Sequence, residues 1–155
     1  MQKCTLALGC FWGPEDNFKS KPGIIKTEVG YAGGNNSNTT YEQVCGGKTG
    51  HAEVVRLAFD EKLISYEKIL SLFFKMHDPT QKDMQYPDIG SQYRSEIFYE
   101  NENQKMLAIQ MRKKISIEFD KRIETNISKI KNYCKAEEYH QKFIEKKENE
   151  KFNIN

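Results

Sequence analysis

The sequence predicts an α/β fold, a two-layer sandwich with helices packed on a mixed β-sheet, in a single domain over residues 1–155. Short apolar or alternating runs are interleaved with longer stretches of helical period, the pattern of strands and helices sharing one sheet. With 155 residues, the chain can bury a core yet is short for two domains. Hydrophobic residues make up 37% and charged residues 30%, which fits a globular protein with a polar surface.

Cys4 to Leu8 reads as the first strand, ending at Gly9-Cys10-Phe11-Trp12-Gly13. Pro14-Glu15-Asp16 then opens a short helix to Ser20, since proline suits the first helical position and acids suit the first turn. Lys21-Pro22-Gly23 is a turn, and Ile24 to Tyr31 a second strand with Ile25, Thr27 and Val29 alternating. Ala32 to Thr39 is a polar loop whose end can cap a helical turn carrying Tyr41, Val44 and Cys45. A glycine-rich loop, Gly46 to Gly50, feeds a buried strand from His51 to Asp60. Ser65 starts a helix with Ile69, Leu72, Phe73 and Met76 in phase.

Asp78 to Gln92 is a long irregular segment, and such loops inside compact domains are more often functional than idle. Arg94 to Tyr99 reads as a strand. Glu102 to Phe119 reads as a helix with Met106, Ile109 and Ile115 in phase. A last helix is expected from about Lys135 to Lys147, carrying Ala136, Tyr139 and Phe143, with 146–155 a frayed polar tail.

A net charge of +2, from 24 basic and 22 acidic side chains, gives no electrostatic case for nucleic acid or an anionic membrane. No apolar stretch reaches the length of a membrane span, and the run before Cys10 is too short for a signal segment. Cys4, Cys10, Cys45 and Cys134 lack the dense spacing of a secreted disulfide scaffold. They read as free thiols in a cytoplasmic monomer.

Cys10 is the candidate nucleophile. A cysteine just ahead of a helix faces unpaired N–H donors and the positive end of the dipole, and both favour the thiolate. Phe11 and Trp12 offer an apolar wall beside it. Partners for it sit where irregular segments meet strands: Tyr41, His51, Glu53, Asp88 and Tyr93. Glu53, between Ala52 and Val54, is either a buried acid with a raised pKa or an outward-pointing strand residue, and the period leaves both open. Tyr41 and Tyr93 can donate from neutral phenols or simply pack. Asp88 fits a turn, His51 a loop bond, and Cys4 and Cys45 buried packing. Gly46 to Gly50 lacks phosphate-loop spacing, and no cysteine or histidine pair has metal-knuckle spacing, so no metal is expected.

Gly9-Cys10-Phe11-Trp12-Gly13 resembles the signature of the peptide-methionine sulfoxide reductase A family. Gly30-Tyr31-Ala32-Gly33-Gly34, Thr40-Tyr41-Glu42, Thr49-Gly50-His51-Ala52-Glu53 and His77-Asp78-Pro79-Thr80 match as well. Asp88 to Ser95 and Ala136-Glu137-Glu138-Tyr139-His140-Gln141 complete a set that spans essentially the whole chain.

The resemblance implies reduction of the S epimer of methionine sulfoxide, free or in oxidised proteins, to methionine. By the same resemblance Cys10 is the nucleophile and Glu53 the acid, Tyr41, Asp88 and Tyr93 polarise the sulfoxide oxygen, and Phe11 and Trp12 hold the methyl group. The resemblance also implies a Cys10 sulfenic acid, then a disulfide opened by thioredoxin or another thiol reductant, with no metal or organic cofactor.

The chain departs from the family in two places. Many relatives carry resolving cysteines in a C-terminal tail, and residues 135–155 contain none. Cys134, just before the last motif, is then a candidate resolving thiol or a packing thiol, with an external thiol as the alternative. Tyr86 stands where relatives often have glycine. Two other readings compete: a cysteine hydrolase with His51 as base, and a non-enzymatic thiol or zinc module.

Overall fold

The computed structural model describes residues 1–153. Its elements run β1 (Gln2–Leu8), α1 (Trp12–Lys19), β2 (Ile24–Ala32), α2 (Tyr41–Cys45), β3 (Ala52–Phe59) and α3 (Tyr66–Met76). They continue with β4 (Met84–Gln85), β5 (Asp88–Ile89), β6 (Ser95–Tyr99), α4 (Glu102–Ser116), β7 (Asn126–Lys129), β8 (Cys134–Lys135) and α5 (Phe143–Asn153). Six strands form one sheet in the order β7-β6-β1-β3-β2-β8, while β4 and β5 pair as a separate hairpin. Strands β6 and β7 run parallel and the other neighbouring strands antiparallel, so the sheet is mixed, as expected.

Strand alternation sorts the core into two sides. Cys4, Leu6 and Leu8 of β1, Val55 and Leu57 of β3, and Ile97 of β6 face helices α1, α3 and α4 through Phe18, Phe73 and Ala108. Ala7, Val54 and Phe98 face the other way, under Ile130 and Tyr133 of the segment before β8. Both faces of β1 and β3 are therefore covered, and these strands show continuous burial in place of alternation.

Caps follow the sequence signals at two helices. The Thr40 hydroxyl accepts from the Gln43 amide, and the Gln43 side chain accepts from the Thr40 N–H. Ser65 caps α3 by accepting from Lys68 N–H.

Helix α1 begins two residues earlier than the sequence suggests. Phe11 is its cap, and Pro14 falls inside the first turn, where a missing N–H breaks no helical bond. Ile25 is exposed rather than buried, because a bulge between Ile24 and Lys26 shifts the alternation of β2. In α4, Met106 and Ile109 face solvent. Gln104, Ala108 and Ile115 are buried, and Leu107 and Met111 pack beside them, so the buried face is rotated from the one expected.

Strands β7 and β8 were not expected. They are short and lie at the two edges of the sheet. The last helix starts at Phe143, after a 3₁₀ turn over Glu138–His140, and Tyr139 is exposed. It runs to Asn153, so most of the polar segment expected to fray is helical; residues 154 and 155 lie outside the described part.

One close approach dictates a glycine. A Cβ on Gly34 would sit 2.0 Å from His51 Nδ1, and His51 is buried and tied to the Asn36 carbonyl at 2.8 Å. Gly34→Ala is expected to destabilise the fold by about 1–3 kcal/mol, the usual cost of overpacking a closed site. A thermal melt within experimental error of the parent would contradict that packing.

Candidate active site

Strand β1 delivers the chain to Gly9, whose φ of +95° turns it towards α1 and leaves Cys10 at the turn. A Cβ on Gly9 would meet Gln85 at 3.0 Å, so the β4–β5 hairpin is packed directly on this turn. Gln85 is paired with Asp88 across that hairpin, which brings the Asp88 carboxylate close enough to act on Cys10. Cys10 is half-buried, Phe11 is buried and Trp12 half-buried.

Glu53 enters from β3. It is 1% exposed, and its Oε1 accepts the Phe11 backbone N–H at 3.2 Å. The open alternative for this residue is thereby decided in favour of burial. Burial pushes its carboxyl up to about 8, aided by the Asp88 charge and opposed by the Phe11 N–H. At neutral pH Glu53 holds its proton.

Burial also pushes the Cys10 thiol up, to about 11. The Trp12 backbone N–H works in the other direction, while the Glu53, Asp88 and Cys45 groups add to the rise. The expected thiolate is therefore not the resting form. The helix start contributes a single N–H, and desolvation among neighbouring acids outweighs it.

Two phenols complete the cluster. Burial raises Tyr41, and next to it stand Cys45, Glu53 and Tyr93. Burial raises Tyr93 as well, with Glu53, Cys45, Asp88 and Cys10 around it. Both are neutral hydrogen-bond donors at physiological pH. Tyr93 sits on a 3₁₀ turn braced by Arg94, whose guanidinium bonds Glu96, the Ser91 carbonyl and the Gly50 carbonyl.

The C-terminal segment closes the aromatic side. Trp12 stacks on Phe143 with centroids 3.8 Å apart and donates its indole N–H to His140 Nδ1 at 3.1 Å. Phe11 lies 5.8 Å from Tyr31 and 5.2 Å from His140. Glu137 accepts from the Tyr31 phenol at 2.8 Å and from the Tyr41 backbone N–H at 2.9 Å, which ties α2 to this wall. Buried Glu15 and Gln141 hold the segment against α1 and β2 through Lys142 N–H and Val29 N–H.

Cys10, Glu53, Tyr41, Asp88, Tyr93, Phe11 and Trp12 thus lie close together. Cys134 stands apart: it lies on β8 opposite Tyr31, with its thiol donating to the Thr39 carbonyl at 3.5 Å. His51 bonds the Asn36 carbonyl and packs against Gly34, so the hydrolase pairing with Cys10 is not made. Among the described residues no group of three or more His, Cys, Asp or Glu side chains converges as a metal centre.

Sequence reasoning gave Tyr31, Glu137 and His140 no part in the site. Their signal was present in the motifs around Gly30 and Ala136, yet they act through partners more than 90 residues away, which no local pattern shows.

Residues 2–155 match the family model described as peptide methionine sulfoxide reductase. Peptide methionine sulfoxide reductase MsrA of Pelagibacter ubique is 54% identical over 147 residues, covering 95% of this chain and all of that one. The reduced form of Mxr1 from Saccharomyces cerevisiae superposes with a TM-score of 0.90 at 36% identity, covering 94% of this chain and 84% of that chain. Mxr1 in complex with Trx2 gives a TM-score of 0.64 at 26% identity, covering 85% and 78%. The chain belongs to the peptide methionine sulfoxide reductase family.

Proposed function

We propose that the whole chain is one catalytic domain that reduces the S epimer of methionine sulfoxide, free or in oxidised proteins, at Cys10. The observation that carries this reading is the buried, protonated Glu53 bonded to the backbone beside a half-buried thiol. An acid held neutral at pH 7 next to a soft nucleophile suits a substrate whose oxygen must be protonated while its sulfur is attacked.

The atoms balance without a cofactor. Phe11 and Trp12 bind the methyl group, and Tyr41, Tyr93 and Asp88 orient the oxygen. Glu53 gives its proton to that oxygen, which makes the sulfoxide sulfur electrophilic. The Glu53 carboxylate so formed is a base, and it takes the thiol proton as Cys10 sulfur attacks. The substrate sulfur then gives up both its new bond to Cys10 and its hydroxyl, which passes to the Cys10 sulfur; methionine leaves, Cys10 remains as sulfenic acid, and Glu53 is protonated again. The two electrons come from the Cys10 sulfur.

A second thiol then condenses with the sulfenic acid, expelling water, and an external reductant such as thioredoxin opens the disulfide by exchange. The complex of Mxr1 with Trx2 supports a thioredoxin-type partner for this fold. Free thiols fit a cytoplasmic setting, and we read the protein as a monomer. Among the described residues no helix is long and apolar enough to cross a membrane.

Cys134 is the candidate resolving thiol, a free thiol on the two-residue strand β8 paired with β2. After one turnover without reductant, a minor fraction of Cys10–Cys134 disulfide is expected, the rest remaining as sulfenic acid. Peptide mapping that finds oxidised Cys10 never linked to Cys134 removes Cys134 from the reaction.

The activity itself is tested with separated epimers and dithiothreitol as reductant. The S epimer should be consumed and the R epimer left. Consumption of neither would overturn the assignment.

A further inference from the structure

His140 is 1% exposed and central to the aromatic wall. Its ring lies 5.2 Å from Phe11, 5.7 Å from Trp12, 4.4 Å from Tyr41 and 4.1 Å from Tyr139. An indole N–H only donates, so the 3.1 Å bond from Trp12 assigns His140 Nδ1 as an acceptor, and the neutral ring carries its proton on Nε2. Nε2 is buried and has no hydrogen-bond partner among the described residues.

We propose that His140 is a positioning residue: neutral, it holds Trp12 in its substrate-binding orientation, and protonated, it releases it. The proposal rests on the reading of Trp12 as part of the methyl-binding wall. A second proton on the ring can go only to Nδ1, where the Trp12 N–H already points. Two donors would then face each other, and the bond is lost. What remains for Trp12 is its stack on Phe143, tilted only 9°, which fixes the ring plane but leaves the indole free to slide within it.

The charged and titratable groups around the ring are few. Glu137 caps the same 3₁₀ turn, which also carries Glu138 and Tyr139, and Tyr41 approaches from α2; of these, the Glu137 charge acts on the ring. Burial lowers the His140 pKa, and the Glu137 charge offsets only part of that. The folded state therefore resists a proton that the unfolded chain accepts near 6.5, and the Trp12 bond is intact at neutral pH. It fails only as pH falls below that value.

Trp12 is the single tryptophan of the chain, so tryptophan emission comes from this site alone. Emission and steady-state kinetics with free methionine sulfoxide and dithiothreitol are measured from about pH 5 to about pH 8, the range in which histidine titrates. The parent should show one emission step on the acid side of 6.5, with KM rising over the same interval and kcat changing little. His140→Phe keeps a ring but no acceptor. It should show no step and a KM raised about tenfold at neutral pH, the scale of one lost hydrogen bond. His140→Asn hangs Oδ1 from Cγ as histidine hangs Nδ1, and should restore KM to within about threefold without a step, since its amide does not titrate.

A flat parent titration, a step retained in His140→Phe, or a folded His140→Asn that behaves like the phenylalanine variant would overturn the proposal. If His140→Phe fails to fold, the parent and His140→Asn decide. An emission step with an unmoved KM would instead overturn the assignment of Trp12 to the substrate.

Discussion

Cys10→Ser is expected to lower sulfoxide reduction by at least about a thousandfold, the order lost when the group forming a covalent intermediate is removed. Sulfur can accept the oxygen because it has an oxidation state to give up. A serine hydroxyl would have to form a peroxide, and its oxygen is a poor nucleophile towards sulfur. The fold should not suffer, since Cys10 sits half-buried at a turn and serine is close to it in size and shape. An unchanged melting temperature with turnover at background is the expected pair of readings. A variant that still yields methionine at more than a few per cent of the parent rate contradicts the role of Cys10.

Glu53→Gln carries the second large effect. The glutamine Oε1 can still accept the Phe11 N–H, and the side-chain volume is kept, so the loss isolates the proton. Turnover should fall about 100- to 1000-fold, within the range for a positioned general acid. The pH profile should change with it. In the parent, activity needs the protonated carboxyl and declines as pH rises through about 8, while the variant is flat across that interval. Stability follows the same proton. The folded state holds it between 4.5 and about 8 where the unfolded state does not, so Glu53 costs stability increasingly as pH rises over that window. The glutamine variant should therefore gain stability over the parent at pH 8. Equal rates for the two enzymes at pH 7 would defeat the acid role.

How far the sequence reveals the molecule depends on the range of the interaction. The strand–turn–helix at Cys10 is punctuated locally by Gly9 and Pro14, so it is legible within a few residues. Glu53 is not, because period alone cannot separate an outer strand face from an inner strand covered on both sides. Its burial follows from the placement of β3 between β1 and β2. The α4 stripe is misread because Met106 and Ile109 are large and apolar, while the helix buries the small Ala108 against its neighbours. Edge strands of two and four residues carry no period at all, so β7 and β8 stay hidden. The resting thiol is missed for a different reason. Dipole and N–H donors are visible in sequence, whereas the burial that outweighs them, and the Glu53 and Asp88 charges that add to it, arise only from tertiary packing.

The most direct test is a single turnover, run with excess methionine sulfoxide and no reductant, quenched and trapped with a sulfenic-acid reagent. One methionine released per chain, with one oxidation equivalent mapped to Cys10 as sulfenic acid or as a disulfide formed from it, is the predicted result. Methionine formed in that amount while Cys10 remains a free thiol would contradict the mechanism.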